Sequence, residues 1–409
     1  MSAVVCRSCA GAELAPILSL GEQPLANSYL RPEQAAQPEE RFPLALVRCR
    51  SCQLVQITCT VPPEILFRDY LYLSSYSTTM LQHAESLVAR LVAERTLSPR
   101  CLAVEVASND GYLLQYYKRA GVPVLGIEPA RNVAEIARGR GVDTISEFFG
   151  TELAERLRHD GVRADIIHAH NVLAHVADLN GFIAGFRLLL ADDGVVVSES
   201  PYLGDFLRKL EFDTIYHEHL CYYSLTALTH LFARHGLVIE DCERIAIHGG
   251  SLRIFARHDR VAQTSPRVRA LLDEERRLGF DRDEPYAQFA AGVERAKSTV
   301  VELVRKLRGE GHKVCAYGAA AKGTVLLNAC GLGPDDIAFV CDKNPLKQGR
   351  LMPGVHIPIV APTELLASDA DHCLLLAWNI AAEIRREQAP WEARGGRFIV
   401  PIPTAQVLT

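Results

Sequence analysis

The stretch "CLAVEVASNDGYLL" (101–114) decides the fold. A short apolar run ends at an acid, Glu105, passes through the polar turn Ser108-Asn109-Asp110-Gly111, and resumes as an apolar segment with helical spacing. That order of strand, turn and helix recurs downstream. "PVLGIEPA" (123–130) is a second strand ending at Glu128, "ADIIHAHNVLAHV" (164–176) a third with polar residues at its end, and "GVVVSESPY" (194–202) a fourth ending at Glu199. Strands alternating with helical segments predict an α/β fold with a parallel sheet and right-handed crossovers. Ligands of such sheets sit beyond the carboxyl ends of the strands.

Those ends form one candidate site. Glu105, Asn109, Asp110 and Gly111 lie at the first, Glu128 at the second and Asn171 at the third. Glu128, 17 residues after Gly111, stands where an acid can bridge ribose hydroxyls. A phosphate cradle would carry several glycines, whereas this turn has one and adds Asp110. An acidic, glycine-poor turn suits a cofactor without phosphates, and S-adenosylmethionine is the expected one. An ordinary polar strand-to-helix turn is the plain alternative. Residues 66–262 are assigned to this domain, which opens on a long amphipathic helix within "FRDYLYLSSYSTTMLQHAESLVARLVAER" (67–95).

A second strand–helix series follows. Residues 263–308 read as helices with one charged face, a connection between domains. Residues 309–409 read as a C-terminal Rossmann-like α/β domain, opening with "HKVCAYGAAAKGTVLLNACGLG" (312–333). Its turn "GAAAKG" is not G-x-G-x-x-G, although the second strand does end in Asp342, so a dinucleotide remains possible. Lys322 at the helix start, with Asn344 and Lys347, could instead meet the diphosphate of a nucleotide sugar. His248 and Gly249, in the polar turn of "AIHGGSLRIF" (246–255), are candidates to face the same ligand.

The first 65 residues carry a different signal. Cys6 and Cys9 form one C-x-x-C pair and Cys49 and Cys52 another, both spelled "CRSC". Two such pairs complete a tetrahedral thiolate site with no position left for water, so the expectation is a structural Zn2+. The 39-residue loop between Cys9 and Cys49 is no obstacle, because closure entropy grows slowly with length. A redox C-x-x-C is the alternative.

The totals exclude some classes. A formal charge of −5 gives no basic field for nucleic acid. The most apolar stretch (181–198) is broken by Arg187, Asp192 and Asp193, so no membrane span is expected. The N-terminus lacks the features of a secretory signal, and the twelve cysteines then fit a reducing, cytoplasmic setting.

"DTIYHEHLCYY" (213–223) concentrates proton-transfer groups. Tyr216 can donate to an oxygen or pass a proton, Glu218 can orient a neighbour or bind a hydroxyl, and His219 suits a base or relay near neutral pH. A metal pair at His217 and His219 would need further ligands, such as His168 and His170. A buried structural cluster is the other alternative, with His217 expected as an exposed neighbour and Tyr222 and Tyr223 as core aromatics.

Long segments of the chain resemble one family. They include the paired "CRSC" motifs, "YLYLSSYS", "NDGYLL", "NVLAHV", "SESPYLGDFL", "FDTIYHEHLCYYS", "HGGSLRIF", "YGAAAKGTVLLN" and "DKNPLKQGRLMPGVHIPI", in order over nearly the whole length. The resemblance is to the S-adenosylmethionine-dependent deoxysugar C-methyltransferases, which methylate a 4-keto nucleotide sugar, commonly dTDP-linked, at carbon 3 and sometimes carbon 5. It implies a zinc-binding module, a central Rossmann-like methyltransferase domain and a C-terminal Rossmann-like domain that helps hold the nucleotide sugar. It also implies catalytic roles for Tyr216, Glu218, His219, His175 and Tyr70. One departure is Ala107, where the family's turn usually has glycine. Methylation of an oxygen or nitrogen, a nicotinamide-dependent oxidoreductase, and a zinc-stabilised interaction protein are the competing functions.

Overall fold

The structure, a computed structural model, describes residues 4–62, 65–66 and 73–408, with the backbone alone at His248. Strands β1 (Leu14–Pro24), β2 (Arg41–Cys49) and β3 (Val55–Ile57) form an antiparallel sheet in sequence order. The two C-x-x-C turns lie just before β1 and between β2 and β3.

The helix Thr78–Glu94 comes next, its N-terminus capped by Ser77, whose side chain accepts from the Met80 backbone N–H. Met80, Ala84, Leu87, Val88 and Leu91 bury one stripe of it in a cluster with Tyr117 and Val195. A Rossmann-like sheet follows, with parallel strands β4 (Ala103–Val106), β5 (Val124–Ile127), β6 (Thr144–Ile145), β7 (Ala164–His170) and β8 (Leu190–Pro201). Their near-continuous apolar runs fit a sheet covered on both faces.

The chain then leaves this sheet for β9 (Cys221–Tyr222), which joins the N-terminal sheet beside β3, with Val55 opposite Tyr222 and Gln56 opposite Cys221. It returns as β10 (Leu237–Ile245) and β11 (Ser251–His258). The final order is β10-β11-β8-β7-β4-β5-β6, with β11 antiparallel to both neighbours.

Two helices, Pro266–Leu278 and Glu284–Gly309, lead to the C-terminal sheet. Its strands are β12 (Val314–Tyr317), β13 (Val340–Cys341), β14 (Ile359–Val360), β15 (His372–Leu375), β16 (Arg397–Val400) and β17 (Gln406–Val407), in the order β14-β13-β12-β15-β16-β17. All pair in parallel except β17, and the direction of winding reverses between β12 and β15. Leu46 and Ile57 of the first sheet, Phe206 and Tyr222 of the middle region, Phe289 and Leu326 belong to one buried cluster. Each such side chain contributes roughly 1.5–3 kcal/mol on burial, so the three parts are held together by apolar packing. The expected α/β architecture is therefore present, with a small N-terminal module and two Rossmann-like sheets. Among the described residues no helix is long and apolar enough to cross a membrane.

Candidate active site

The two C-x-x-C turns are built alike. Ala10 N–H donates to the Cys6 carbonyl and Gln53 N–H to the Cys49 carbonyl, while Cys6 N–H reaches Gly11 and Cys49 N–H reaches Leu54. Ala10 and Gln53, each following the second cysteine of its pair, both have positive φ (58° and 63°). The four sulfurs lie within 4.8 Å of one another, with Cys6–Cys52 and Cys9–Cys49 each at 3.4 Å. A Cβ on Gly11 would come within 3.1 Å of the Cys9 sulfur, which explains the glycine beside the cage. Four thiolates about 2.3 Å from a central zinc fit this spacing and leave no open position. The cluster holds a structural Zn2+.

At the carboxyl end of β4 and β5, acids gather around the turn after Glu105. Burial drives the Glu105 carboxyl well above its ordinary value, helped by Asp110, Glu128 and Glu199. Glu128 accepts from Asn109 N–H (3.0 Å) and Ala130 N–H (2.9 Å), which fixes its orientation. Asp110 pairs with Arg140 (2.8 Å) and accepts from the Ser75 hydroxyl. Gly111 has φ +77°, and a Cβ there would lie 3.0 Å from Val142. Ala107 and Asn109 also have positive φ (56° and 50°), so Ala107 occupies the glycine-like conformation with a methyl group attached. Asn171, with φ 52°, donates its N–H to the Glu199 carbonyl (2.8 Å) at the end of β7. A carboxylate at Glu128 can accept from ribose hydroxyls, and a turn with the single glycine Gly111 is no phosphate cradle, so these residues fit a nucleoside cofactor without phosphates. Two buried oxygens in this group, Glu105 Oε2 and Asp110 Oδ1, make no hydrogen bond among the described residues.

Beneath it lies a second charged layer. Burial pushes Glu199 upward, yet His170, His83 and Arg253 outweigh it and hold the carboxylate well below its usual range. Arg253 Nε donates to Glu199 (2.6 Å) and Nη1 to Glu243 (2.8 Å).

The Tyr216 hydroxyl and His219 Nε2 are 2.8 Å apart, while His219 Nδ1 is 3.0 Å from the Thr214 carbonyl. A carbonyl only accepts, so Nδ1 carries the hydrogen, Nε2 carries the lone pair, and Tyr216 donates to it. Tyr222, a core aromatic as expected, also donates to the Thr214 carbonyl (3.1 Å). His175 stacks edge-on against His219, ring centroids 4.9 Å apart, and burial lowers its pKa to about 4.

The Glu218 carboxyl meets groups from the N-terminal module and the C-terminal domain. Asn27 of the N-terminal module donates to it (2.7 Å), and burial pushes its pKa up to about 7 against the pull of Asn27 and Lys347. Lys347 is bound to the Ala319 carbonyl (2.6 Å) and lies 4.9 Å above the Tyr29 ring. Asn344 closes its own turn, accepting from Leu346 N–H (3.0 Å). Lys322 lies 4.7 Å above the Trp378 ring. Gly249 accepts from Lys209, and a Cβ on it would meet Glu211 at 2.7 Å. Lys322 also acts electrostatically on Glu211, so the Gly249 turn and Lys322 border the same carboxylate.

Tyr216, His219 and His175 are thus brought together, with Glu218 beside them. Tyr70 and the His248 side chain lie outside the described residues. His217 is a correction: expected to be exposed, it is 1% exposed, with its ring 5.7 Å from Phe42 in edge contact. The pairing of β9 with β3 draws that segment under the N-terminal module. His168 and His170 face each other (2.9 Å), and Tyr117 binds His168 (2.8 Å), as part of the buried layer. Asn27, Thr214, Asp213 and Trp378 went unread in the sequence. Only the polar turn "ANSY" (26–29) offered a local sign of Asn27.

Three family models match the chain: one described as "Putative zinc binding domain" over residues 6–67, a methyltransferase domain over 76–241 and a C-methyltransferase C-terminal domain over 246–403. The fold, the thiolate centre and these matches define a zinc-containing methyltransferase. The chain belongs to the C-methyltransferase family and is an S-adenosylmethionine-dependent enzyme. C-methyltransferase NovU of Streptomyces niveus is 39% identical to it over 405 residues, covering 99% of this chain and 96% of that protein. The ubiquinone biosynthesis O-methyltransferase of Bartonella quintana (strain Toulouse) is 32% identical over 94 residues, 23% of this chain and 38% of that protein. Among solved structures, magnesium protoporphyrin IX methyltransferase ChlM of Synechocystis PCC 6803 is 15% identical, covers 48% of this chain and 98% of its own, and has a TM-score of 0.37. That likeness is too slight to bear on function.

Proposed function

We propose that the enzyme transfers a methyl group to the carbon beside the ketone, carbon 3, of a 4-keto-deoxy nucleotide sugar, dTDP-linked, through an enolate. One observation carries this reading: the Tyr216 hydroxyl donates to His219 Nε2, whose Nδ1 is held by the Thr214 carbonyl. A carbon beside a ketone becomes a nucleophile only on losing its proton. In this arrangement the Tyr216 oxygen accepts that proton as its own passes to His219, and the bonding electrons of the C–H become the enolate. His175, neutral and adjacent, borders the histidine that gains the charge. S-adenosylmethionine, when bound, supplies the electrophilic methyl group.

Glu105, Asn109, Asp110, Gly111, Glu128 and Asn171 are assigned to the cofactor, and Lys322, Asn344, Lys347, His248 and Gly249 to the nucleotide sugar, with Tyr70 as a further catalytic group. Lys347 is engaged within the protein with Ala319, Asn344 with Leu346, Lys322 with Trp378 and Asn379, and Gly249 with Lys209, so a nucleotide sugar would have to replace or share those contacts. The division at 1–65, 66–262, 263–308 and 309–409 and a cytoplasmic location belong to the same proposal. The experiment is solvent deuterium exchange at carbon 3 of a dTDP-4-keto-deoxysugar with S-adenosylhomocysteine in place of the donor. Enzyme-dependent exchange that Tyr216→Phe abolishes supports the enolate route, and its absence alongside methyl transfer to oxygen removes it.

A further inference from the structure

The turn that holds the His219 tautomer is itself held from the C-terminal domain. Phe212–Thr214 is a single helical turn, closed by Thr214 N–H to the Glu211 carbonyl (3.0 Å) and Ile215 N–H to the Phe212 carbonyl (3.0 Å). In its middle Asp213 is wholly buried. The Trp378 indole N–H, just beyond β15, donates to Asp213 Oδ2 at 2.7 Å. The other oxygen, Oδ1, has no hydrogen-bond partner among the described residues; Lys322 acts on the carboxylate through its charge, the backbone N–H groups of Asp213 and Thr214 also favour it, and the indole is the side chain that hydrogen-bonds it. One residue on, the Thr214 carbonyl takes both the His219 Nδ1 hydrogen and the Tyr222 hydroxyl.

We propose that Trp378 is a positioning residue for His219: by fixing Asp213 it fixes the Thr214 carbonyl, and so the tautomer in which Nε2 accepts the Tyr216 proton. The Trp378 indole hydrogen-bonds Asp213 rather than Tyr216 or His219, and its effect passes through two other residues. An imidazole with Nε2 protonated would offer Tyr216 a donor where an acceptor is needed, and the proton path would close. The position of the indole also matters. Its ring lies under Lys322, at the point where the C-terminal sheet reverses its winding, which is where ligands of such sheets bind. A ligand that draws Lys322 away from the ring acts on the same residue that orients Asp213. Occupancy of the C-terminal domain and readiness of His219 are thereby coupled.

The inference rests on the proposed Tyr216–His219 proton path, but one arm of its test needs no sugar. Full-length, zinc-replete protein is labelled with 15N-histidine and the tautomers are read from two-bond nitrogen–proton NMR correlations, with His219 assigned by His219→Gln. The wild type carries its hydrogen on Nδ1, and Trp378→Phe, which keeps an aromatic ring but no N–H, adds the other tautomer. Asp213→Asn retains an oxygen for the indole and keeps the wild-type tautomer, whereas Asp213→Ala does not. In the kinetic arm, Trp378→Phe lowers kcat about tenfold or more with KM within about twofold, and Asp213→Asn stays within about threefold of wild type. An unchanged His219 tautomer in Trp378→Phe overturns the proposal, as does an equal kcat loss in Trp378→Phe and Asp213→Asn. If the keto sugar is not a substrate, the kinetic arm fails for every variant while the NMR arm still decides.

Discussion

Val55 and Tyr222 face each other across an antiparallel ladder, so the zinc module shares its sheet with the strand that follows Tyr216 and His219. Removing the metal should therefore reach the segment proposed to be catalytic. Structural zinc in small modules contributes roughly 10–16 kcal/mol of folding free energy. Chelation, or Cys52→Ser, is expected to bring metal content below one zinc per chain, expose residues 4–62 to protease and abolish methyl transfer. Retained activity in metal-free protein would separate the module from catalysis.

The proton path gives a sharper expectation. Tyr216→Phe and His219→Gln should each lower kcat by about 10²–10⁴-fold with a small effect on KM. The double variant should be little worse than either single one, because both act on one transfer. Steady-state kinetics of the three variants checks this, and multiplicative losses would mean two independent roles.

Glu218 makes stability depend on pH. Its folded pKa, raised by burial to about 7 from 4.5, means that the folded protein binds this proton more tightly than the unfolded chain. Below the unfolded value both states are protonated and nothing is lost. As pH rises through the window from 4.5 to about 7, charging the group costs the folded state up to about 3 kcal/mol. Glu218→Gln escapes that cost. Denaturant titrations should find the variant matching the wild type near pH 4 and exceeding it increasingly toward pH 7.

Arg253 supplies a contrasting case. Its guanidinium is bonded to Glu199 and Glu243, and Glu199 is 1% exposed. Arg253→Leu leaves a buried carboxylate without its cation, which costs about 3–5 kcal/mol. The Glu199 pKa, held low in the fold, should rise with it. Because a depressed carboxyl contributes stability above its unfolded pKa, the deficit should be full at pH 7 and shrink as pH falls below the ordinary carboxylate range. Unfolding at both pH values measures it.

The parts legible in the sequence are those whose signal is local. Two C-x-x-C pairs announce a metal from four residues each, and Glu105 through Gly111 writes strand, turn and helix in a single run. Tyr216, Glu218 and His219 stand out because three proton-handling groups fall within four positions. What escaped are pairings with no local signature. Asp213 and Trp378 are 165 residues apart, and Asn27 and Glu218 are 191 apart. Strand β9 is two residues long, too short for an alternation to be recognised, so His217 was expected in solvent when the ladder in fact buries it. Trp378 follows an apolar strand, and nothing in its neighbourhood along the chain marks it as a partner of Asp213.

The sheet order has a consequence for how the chain is made. Strand β10 reaches the central sheet only through β11, which is synthesised after it and lies between β10 and β8. While the ribosome is still translating residues 246–258, β10 has no neighbour and β8 presents a bare edge. The central sheet therefore closes late, when its last strand slots inward rather than adding to the outside. A nascent chain or fragment ending before His258 keeps that edge open, a surface that recruits chaperones or pairs with another unfinished copy.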